Sequence, residues 1–439
     1  MSAVLSTAVQ GAQKNEGINR SFLFLLSVYL FFVLVRPQDY PATVLDFPLL
    51  PTIEAVVFIT WLFSRPSFAT PMHMAMWAMM AWIPINLYFA NSPDLGSTTQ
   101  YFLFSIFLTF LFVATASRED QGVRRLAKVM VLSTSVIALH GLDQYYGGTG
   151  VGFSGQSWLE RREASGSFFQ IRYVGIFADP NDTGMILVMA LPWLFLYRAQ
   201  SSAVVGRFAA LFSIGLHLWA IYLTNSRGTY VALAASLGMY LAIRYNMVRA
   251  LIATSVVAPL VLLLGPARIF VSGDQSTQDR IDAWYQGFQL FNWHPINGVG
   301  MNHFMDHHHK AAHNSWVQLL AEQGTVGYAA WAAVLFSSLF IAYRLQEAES
   351  WPNELASETV ANRRQLARTT LVSMVGCLTA MFFLSRAYHL PVYLMCAFVA
   401  GQYLFYRTKA PALNGVISAT LAGGVLSVLA LYIIVRLQT

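Results

Sequence analysis

Long apolar segments follow one another along almost the whole chain, and short polar connections separate them. A helix needs roughly 20 mainly apolar residues to cross the hydrocarbon core of a bilayer. By this criterion the pattern predicts about thirteen spans, within a range of about twelve to fourteen. The segments are 21–35, 47–63, 71–90, 99–116, 127–146, 183–197, 208–224, 229–243, 250–266, 315–343, 367–385, 388–405 and 414–435. The chain is therefore predicted to be an all-α, polytopic integral membrane protein.

The composition supports this prediction and leaves no room for a large soluble domain. Hydrophobic residues make up 56% of the 439 residues and charged residues 11%, whereas soluble domains carry roughly 25% charged residues. We therefore treat residues 1–439 as one membrane domain. Cys377 and Cys396 both fall inside apolar segments, which argues against a disulfide framework and against a cysteine metal site. The net charge of +6 is read as information on orientation, and no nucleic-acid partner is expected.

Basic residues indicate which way the chain crosses the membrane. With a cytoplasmic N-terminus, most of the 27 lysines and arginines fall in inner loops, as the positive-inside rule requires. The two longest connections, about 147–182 and 267–314, then face the outer side, and long loops are usually functional. Five arginines in these connections depart from the rule: Arg161, Arg162, Arg172, Arg268 and Arg280. They are either ordinary exposed charges that reach lipid phosphates or a sign of an anionic ligand on the outer side.

Six of the ten histidines lie between His294 and His313. A metal site is one interpretation, because His309 and His313 are four residues apart, but no HExxH pattern is present and Asp306 is the one nearby carboxylate. We expect no metal. His313 directly precedes the apolar run that begins at residue 315, and a neutral imidazole there can accept a proton. The alternative is an interfacial histidine that caps a helix start beside Asn314.

Two arginines are candidates for binding an anion. Arg227 lies in TNSRGTY between two spans, where a charge is costly unless it is paired or hydrated. Arg280 is flanked by Asp279 and Asp282, which offer a local salt bridge as the alternative. Together the two guanidinium groups would make a fork for phosphate oxygens. Arg386 in FLSRAYHL is a further candidate of the same type.

The segment around His313 resembles a known family. His313, Asn314, Gly324 and Gly327 match the pattern of the O-antigen ligase and polymerase superfamily, in which a periplasmic histidine heads a helix with two glycines. The preceding RIDAWYQGFQLFNWHPINGVGMNHF is similar to that superfamily's run of arginine, tryptophan, His-Pro and Gly-x-Gly.

Two further segments extend the resemblance. The SRG at 226–228 is similar to the superfamily, and RYVGIFADPNDTG at 172–184 resembles the branch of exosortase A-associated O-glycosylation ligases. The motif-dense region is thus 172–330. The rest of the chain resembles the family only as a polytopic membrane protein.

The resemblance implies a GT-C-like membrane glycosyltransferase of the bacterial inner membrane. Such an enzyme moves a glycan from an undecaprenyl or other polyprenyl diphosphate to an acceptor hydroxyl on the periplasmic side, without a metal or another cofactor. Carried over to this chain, His313 takes the catalytic position and Arg227 and Arg280 take the diphosphate-binding positions, with Arg172 in support. The acceptor hydroxyl belongs to a lipid such as lipid A core, to a protein, or to another glycan.

Secondary site candidates are Asn314, Asp179, Asn181 and Arg386. For the segment 179–182 the alternative is a simple helix start, because Pro180 ends an incoming helix and the flanking polar residues can cap the next one. Glu54, within the second span, is an intramembrane carboxylate and therefore a functional candidate by default, although a partner helix would equally satisfy it.

Two alternatives to a ligase stay open. A polymerase of the same superfamily would share the donor, the base and the arginines and would differ in the acceptor. A transporter for lipid-linked sugars would share the span count, but it would also show inverted repeats or paired broken helices, and no convincing repeat is visible. Ionisable residues within the spans are few, chiefly Glu54, Asp143, His140 and His217. An ATP-driven enzyme is disfavoured because no GxxxxGK[ST] loop occurs.

Overall fold

The structure is a computed structural model that describes residues 19–41, 47–90, 97–163, 166–245 and 275–438. Helices dominate these residues, and the one sheet among them is a two-stranded hairpin. The helices are α1 (Arg20–Val35), α2 (Leu49–Leu62), α3 (Pro71–Phe89), α4 (Ser97–Ala116), α5 (Asp120–Tyr146), α6 (Pro180–Gln200), α7 (Val204–Leu223), α8 (Arg227–Arg244), α9 (Gln275–Trp293), α10 (Phe304–His307), α11 (Ser315–Gln346), α12 (Ser357–Met381), α13 (Leu390–Arg407) and α14 (Val416–Gln438). The strands are β1 (Leu159–Glu163) and β2 (Gly166–Gln170).

The prediction of an all-α polytopic membrane protein is confirmed. Every predicted apolar segment except 250–266 coincides with a described helix, whereas 250–266 and Arg268 lie outside the described residues. Five described helices are long and apolar enough to cross a membrane by length and composition, with windows in α4, α5, α7, α11 and α14. A regular helix satisfies nearly all its backbone hydrogen bonds internally, as a lipid environment requires.

Several predicted boundaries differ from the observed ones. The helix α12 begins at Ser357 and α5 at Asp120, about ten and about seven residues before the apolar runs that predicted them. Their first turns are polar, so a search for apolar runs misses them. The long connections also contain structure that was not predicted, because α9 lies within 267–314 and the β hairpin lies within 147–182.

The helices α11, α12 and α13 form the centre of the bundle. The helix α11 packs on α3, α12 and α14, while α12 packs on α6 and α8 and α13 packs on α4. Nearly all residues of α13 are buried, and the buried Trp193 of α6 meets Phe398 edge to face. By contrast, α14 leaves large apolar side chains exposed, such as Ile417 at 77% and Leu421 at 65%. An exposed apolar surface of this kind is what a lipid-facing helix presents.

The two ends of the bundle are built differently. At one end the starts of α6, α8 and α11 meet the connection 382–389 between α12 and α13. At the other end the starts of α5 and α12 meet the end of α6, where Arg124 of α5 donates hydrogen bonds to Gln200 and Asn362. We call the first the loop end and the second the basic end.

The hairpin β1–β2 belongs to the loop end. Leu159 pairs with Gln170 in the antiparallel register. The Gln170 side chain donates a 2.9 Å hydrogen bond to the Thr224 carbonyl oxygen, and the Asn225 side chain donates one of 2.8 Å to the Phe169 carbonyl oxygen. These bonds fasten the hairpin to the turn between α7 and α8.

Candidate active site

The start of α6 supplies the first wall of the candidate site. Asp179 is the N-cap of this helix, and its side chain accepts a 2.8 Å hydrogen bond from the backbone N–H of Asn181, with Pro180 in the first helical position. Both residue types are favoured at these positions. The interpretation of this segment as a helix start is therefore confirmed, and its position beside the other walls keeps it a site candidate.

The starts of α6 and α8 touch each other. Ser226 caps α8 by accepting a 3.2 Å hydrogen bond from the N–H of Thr229, and its hydroxyl donates to the side-chain oxygen of Asn181. A Cβ atom added to Gly184 would lie 1.9 Å from the Thr229 hydroxyl oxygen, so only glycine allows this approach. The half-buried Arg227 is the first residue of α8 and lies at this junction.

The connection 382–389 is tied to α6 by a buried ion pair. Arg386 Nε lies 2.7 Å from Asp182 Oδ1, and Arg386 Nη2 lies 2.6 Å from Asp182 Oδ2. Asp182 is fully buried, and the Arg386 side chain is 29% exposed. This two-pronged geometry is the strongest form of the arginine–carboxylate contact. Two of the three guanidinium nitrogens of Arg386 are thus engaged by Asp182.

The same connection holds the segment before α11. The His313 N–H donates a 2.8 Å hydrogen bond to the Ser385 hydroxyl, and the Ser315 hydroxyl donates one of 2.6 Å to the Leu384 carbonyl oxygen. The Arg386 N–H donates to the Ser315 hydroxyl at 2.8 Å. The loop 382–389 therefore links His313 to the start of α6.

Asn314, rather than His313, caps α11. The Asn314 side-chain oxygen accepts hydrogen bonds of 2.9 Å and 3.1 Å from the N–H groups of Trp316 and Val317. His313 precedes the cap with a φ of 47°, a left-handed conformation that is uncommon outside glycine. Asn314 therefore satisfies the free N–H groups at the start of the helix. The alternative interpretation gave this capping role to His313, but Asn314 performs it.

Four charged residues surround the half-buried His313. Burial lowers the pKa of its imidazole below the usual value; the positive charge of Arg280 lowers it further, and those of Arg386 and Arg161 act in the same direction. The carboxylate of Asp179 opposes them. Because burial and nearby cations both disfavour the protonated ring, His313 is neutral at neutral pH and able to accept a proton.

The helix α9 brings Arg280 toward His313. The indole N–H of Trp284 donates a 2.9 Å hydrogen bond to the carbonyl oxygen of Ala312, the residue before His313. Arg280 precedes Trp284 by four residues and so lies on the same face of α9. Of the two flanking carboxylates, Asp279 forms an ion pair with Lys310.

The hairpin region contributes Arg161 to the surroundings of His313, while Arg172 contacts a loop. Arg172 Nε donates a 2.8 Å hydrogen bond to the Ser157 carbonyl oxygen. Arg161 Nε lies 3.3 Å from the Gln170 side-chain oxygen, and its charge acts on His313. The sequence placed Arg161 among the outer arginines but gave no reason to prefer it to its neighbours, because the hairpin that positions it has no apolar signature.

A break in α11 explains Gly324, the first of the two glycines that follow His313. Gly324 has φ 61° and ψ −165° inside the helix, and a Cβ there would lie 2.4 Å from the Ile296 carbonyl oxygen. The segment 295–300 fills the break: Val299 N–H donates to the Ala321 carbonyl oxygen at 2.9 Å, and Thr325 N–H donates to that of Pro295 at 2.8 Å. The His-Pro and Gly-x-Gly run thus joins the helix that His313 precedes.

Glu322, next to this break, is a buried carboxylate that the sequence analysis missed. The residue is 1% exposed; its carboxylate accepts a 3.3 Å hydrogen bond from Gln318 and interacts with the backbone N–H groups of Asn302 and Phe304. The sequence feature that could have identified it is a single carboxylate within the apolar run that begins at residue 315. Glu54, by contrast, accepts hydrogen bonds from Tyr101 and Ser105 of α4 and from Tyr29 of α1, so partner helices satisfy it.

The histidine-rich stretch makes local contacts. His303 Nδ1 lies 2.6 Å from Asp306 Oδ2, and His308 Nδ1 lies 2.9 Å from the Lys310 carbonyl oxygen. Within the part of the chain that the structure describes, no three histidine, cysteine, aspartate or glutamate side chains are grouped as metal ligands. Metal independence stays a prediction.

Fold and site together are those of a membrane protein with a neutral histidine among cations at one end of a helical bundle. The O-Antigen ligase family model matches residues 209–332. This part of the chain, which holds Arg227, Arg280, His313 and both glycines of α11, is similar to the O-antigen ligase family. No curated protein gives a significant match to the chain. The family supports an enzyme of the ligase or polymerase type that acts on lipid-linked glycans in a membrane.

Proposed function

We propose that the protein is a glycosyltransferase that moves a glycan from a polyprenyl diphosphate to an acceptor hydroxyl, with His313 as the general base. The observation that carries the proposal is the meeting of a neutral imidazole with the charges of Arg280, Arg386 and Arg161 at the loop end. Such a transfer needs a proton acceptor and a stabilised leaving group in one place.

His313 accepts the proton of the acceptor hydroxyl in the proposed reaction. As the acceptor oxygen attacks the anomeric carbon, its hydroxyl proton passes to the imidazole, and a positioned base of this kind contributes about 10² to 10⁴ in rate. The bond between the anomeric carbon and the diphosphate oxygen breaks with its electron pair on the leaving diphosphate. A single displacement of this type inverts the anomeric centre.

The leaving diphosphate is bound by arginines. We assign Arg227 and Arg280 to the diphosphate, because planar guanidinium groups match phosphate oxygens and both residues lie in the part that matches the family. Arg172 supports them from the connection 147–182, as the resemblance predicts, and the structure adds Arg161 of the hairpin as a second candidate from this region. Arg386, Asp179, Asn181 and Asn314 hold the walls of the site in place through the contacts described above.

We infer the orientation from the two ends of the bundle. Cytoplasmic ends of membrane proteins are enriched in lysine and arginine, and the loop end lies opposite the basic end. We therefore place the N-terminus in the cytoplasm and the site on the periplasmic face of a bacterial inner membrane. Cysteines introduced at Val151 and at Tyr285, both exposed, are expected to react with a membrane-impermeant reagent from the outer side.

A reconstituted assay tests the proposal. We expect His313→Ala to insert and fold but to lose glycan transfer by about 10²-fold or more, when the full chain is supplied with a polyprenyl-diphosphate-linked glycan and an acceptor. His309→Ala, a change to an exposed histidine of the same stretch, is the matched control and should retain transfer. Equal activity of the two variants would contradict the role of His313.

The same assay tests the metal interpretation. A chelator should leave transfer unchanged, whereas a loss of transfer that added zinc restores would favour a metal site.

The same assay separates the alternatives. A ligase attaches the glycan to a lipid or protein acceptor, a polymerase lengthens the lipid-linked glycan, and a transporter moves the donor without releasing polyprenyl diphosphate. The family includes ligases and polymerases, so the product, rather than the site, decides between these two.

A further inference from the structure

The basic end carries an open depression between α5 and α12. Its lining consists of Asp120, Gln121, Arg124, Arg125, Lys128 and Asn362. Arg124, Arg125 and Lys128 occupy the first turns of α5, and the last two are exposed. We call this surface the basic depression.

The three cations of the basic depression are held by neutral groups. Arg124 donates to the side-chain oxygens of Gln200 and Asn362, the latter at 3.4 Å, and Arg125 Nε donates to the Ser27 hydroxyl at 3.1 Å. Lys128 Nζ lies 5.9 Å from the centre of the Tyr197 ring. Within the described residues, these three side chains form no ion pair.

The one carboxylate of the lining is already engaged. Asp120 Oδ1 lies 2.5 Å from Nε of Arg363, whose side chain is 5% exposed. The three cations therefore leave the depression with excess positive charge. Elsewhere at this end, Arg344 is paired with Glu347 at 3.2 Å, so unpaired charge is not a general feature of the basic residues here.

Exposed apolar side chains continue the depression toward the middle of the bundle. Leu132, one turn beyond Lys128 on α5, is 56% exposed, and Phe24 of α1, whose ring lies 6.0 Å from the guanidinium carbon of Arg125, is 55% exposed. A free inorganic anion would bind the cations but would not contact these apolar side chains. A phospholipid uses both parts, because its phosphate meets the cations while an acyl chain lies along the apolar residues.

We propose that the basic depression is a binding site for an anionic phospholipid of the leaflet at the basic end. The phosphate lies between Arg124, Arg125 and Lys128, and an acyl chain follows Leu132 and Phe24. Basic pockets between membrane helices bind anionic headgroups in this way. The site is separate from the candidate active site and does not depend on the glycosyltransferase proposal.

Retention of lipid by the purified full chain tests the site. The protein is placed in phosphatidylcholine nanodiscs with increasing amounts of phosphatidylglycerol or cardiolipin, and the lipids that remain bound are counted by native mass spectrometry. We expect preferential retention of the anionic lipid, and a loss of about fivefold in affinity for each cation removed in Arg124→Gln, Arg125→Gln and Lys128→Gln.

A matched variant controls for net charge. Arg207→Gln, Arg407→Gln and Lys409→Gln together remove three exposed cations from the same end without touching the depression, and should retain lipid as the wild type does. Equal loss in both triple variants would overturn the proposal. If the triple variant does not fold, the single change Lys128→Gln at an exposed position tests the same prediction.

Inorganic phosphate distinguishes the two possible sources of the anion. We expect phosphate to leave the bound lipid in place, because it lacks the acyl chain that contacts Leu132 and Phe24. Displacement of the lipid by phosphate alone, with the same dependence on the three cations, would overturn the lipid assignment.

Discussion

The two ends of the bundle use positive charge in different ways. At the loop end, Arg386 is bound by the fully buried Asp182, and its charge acts together with those of Arg280 and Arg161 on one imidazole. At the basic end, Arg125 and Lys128 are exposed, and Arg344 and Glu347 pair at the surface. The burial of a cation therefore affects the strength of its interactions more than the number of nearby cations does, since burial strengthens each interaction.

Removal of one partner from each ion pair is expected to show the largest difference. Asp182→Ala leaves the partly buried Arg386 without its carboxylate and should destabilise the protein by about 3 kcal/mol, the lower end of the range for buried pairs. Glu347→Ala at the basic end removes a pair with side chains 39% and 31% exposed, and such pairs contribute about 0–1 kcal/mol. Thermal unfolding in the same detergent measures both. Similar losses for the two variants would contradict the comparison.

Substitution of two glycines compares a constrained backbone position with an unconstrained one. Gly324→Ala puts a side chain at φ 61° against the Ile296 carbonyl oxygen, and we expect a loss of about 1–3 kcal/mol with reduced transfer. Gly215 of α7 has open space around it, so Gly215→Ala should stabilise the protein by about 0.5–1 kcal/mol. A neutral effect of Gly324→Ala on both stability and transfer would show that α11 tolerates a continuous helix.

For the proposed contact of Arg280 with the diphosphate, the shape of the cation matters as well as its charge. Arg280→Lys retains the charge but loses the planar fork, and we expect transfer to fall about tenfold, equivalent to about 1.4 kcal/mol. Arg207→Lys, at the basic end, is the matched control and should leave the rate unchanged. Initial rates at saturating donor provide the measurement. Full activity of Arg280→Lys would indicate that Arg280 acts only as a point charge.

The smallest expected effect is on the pH dependence. Because burial and Arg280 lower the pKa of His313, this proposed base stays neutral down to a pH below the ordinary histidine pKa of about 6.5. Transfer should therefore fall only when the pH drops through that lowered pKa. In Arg280→Gln the acidic limb should move to higher pH, since one cation is removed. A limb at or above about pH 6.5 in the wild type would contradict the described surroundings of His313.

The sequence predicted those features of the fold that depend on one dominant interaction. Apolar runs located the helices because burial in lipid requires about 20 apolar residues per crossing, and α3 and α8 agree with their predicted segments within two residues at each end. The polar first turns of α12 and the amphipathic α9 escaped this criterion. The family motif around His313 was likewise visible, since its residues are close together in the chain.

The composition of the site depended on contacts between distant residues. Asp182 and Arg386 are far apart in the chain, and their pairing follows from the packing of α6 beside α12. Glu322 was overlooked because a single carboxylate barely changes the hydropathy of its segment. The resemblance selected Arg172 and not Arg161, whereas in the structure the charge of Arg161 acts on His313 and Arg172 contacts Ser157.

The amino-acid order by itself determined the all-α membrane class, the helix-forming segments and the resemblance to the O-antigen ligase family, because each rests on local hydropathy or on neighbouring motif residues. Only the tertiary structure decided which charges surround the imidazole, which carboxylate binds Arg386, and which cations at the basic end lack an ionic partner in the described chain. These outcomes depend on distance and burial, and both arise when helices that are remote in sequence pack against each other.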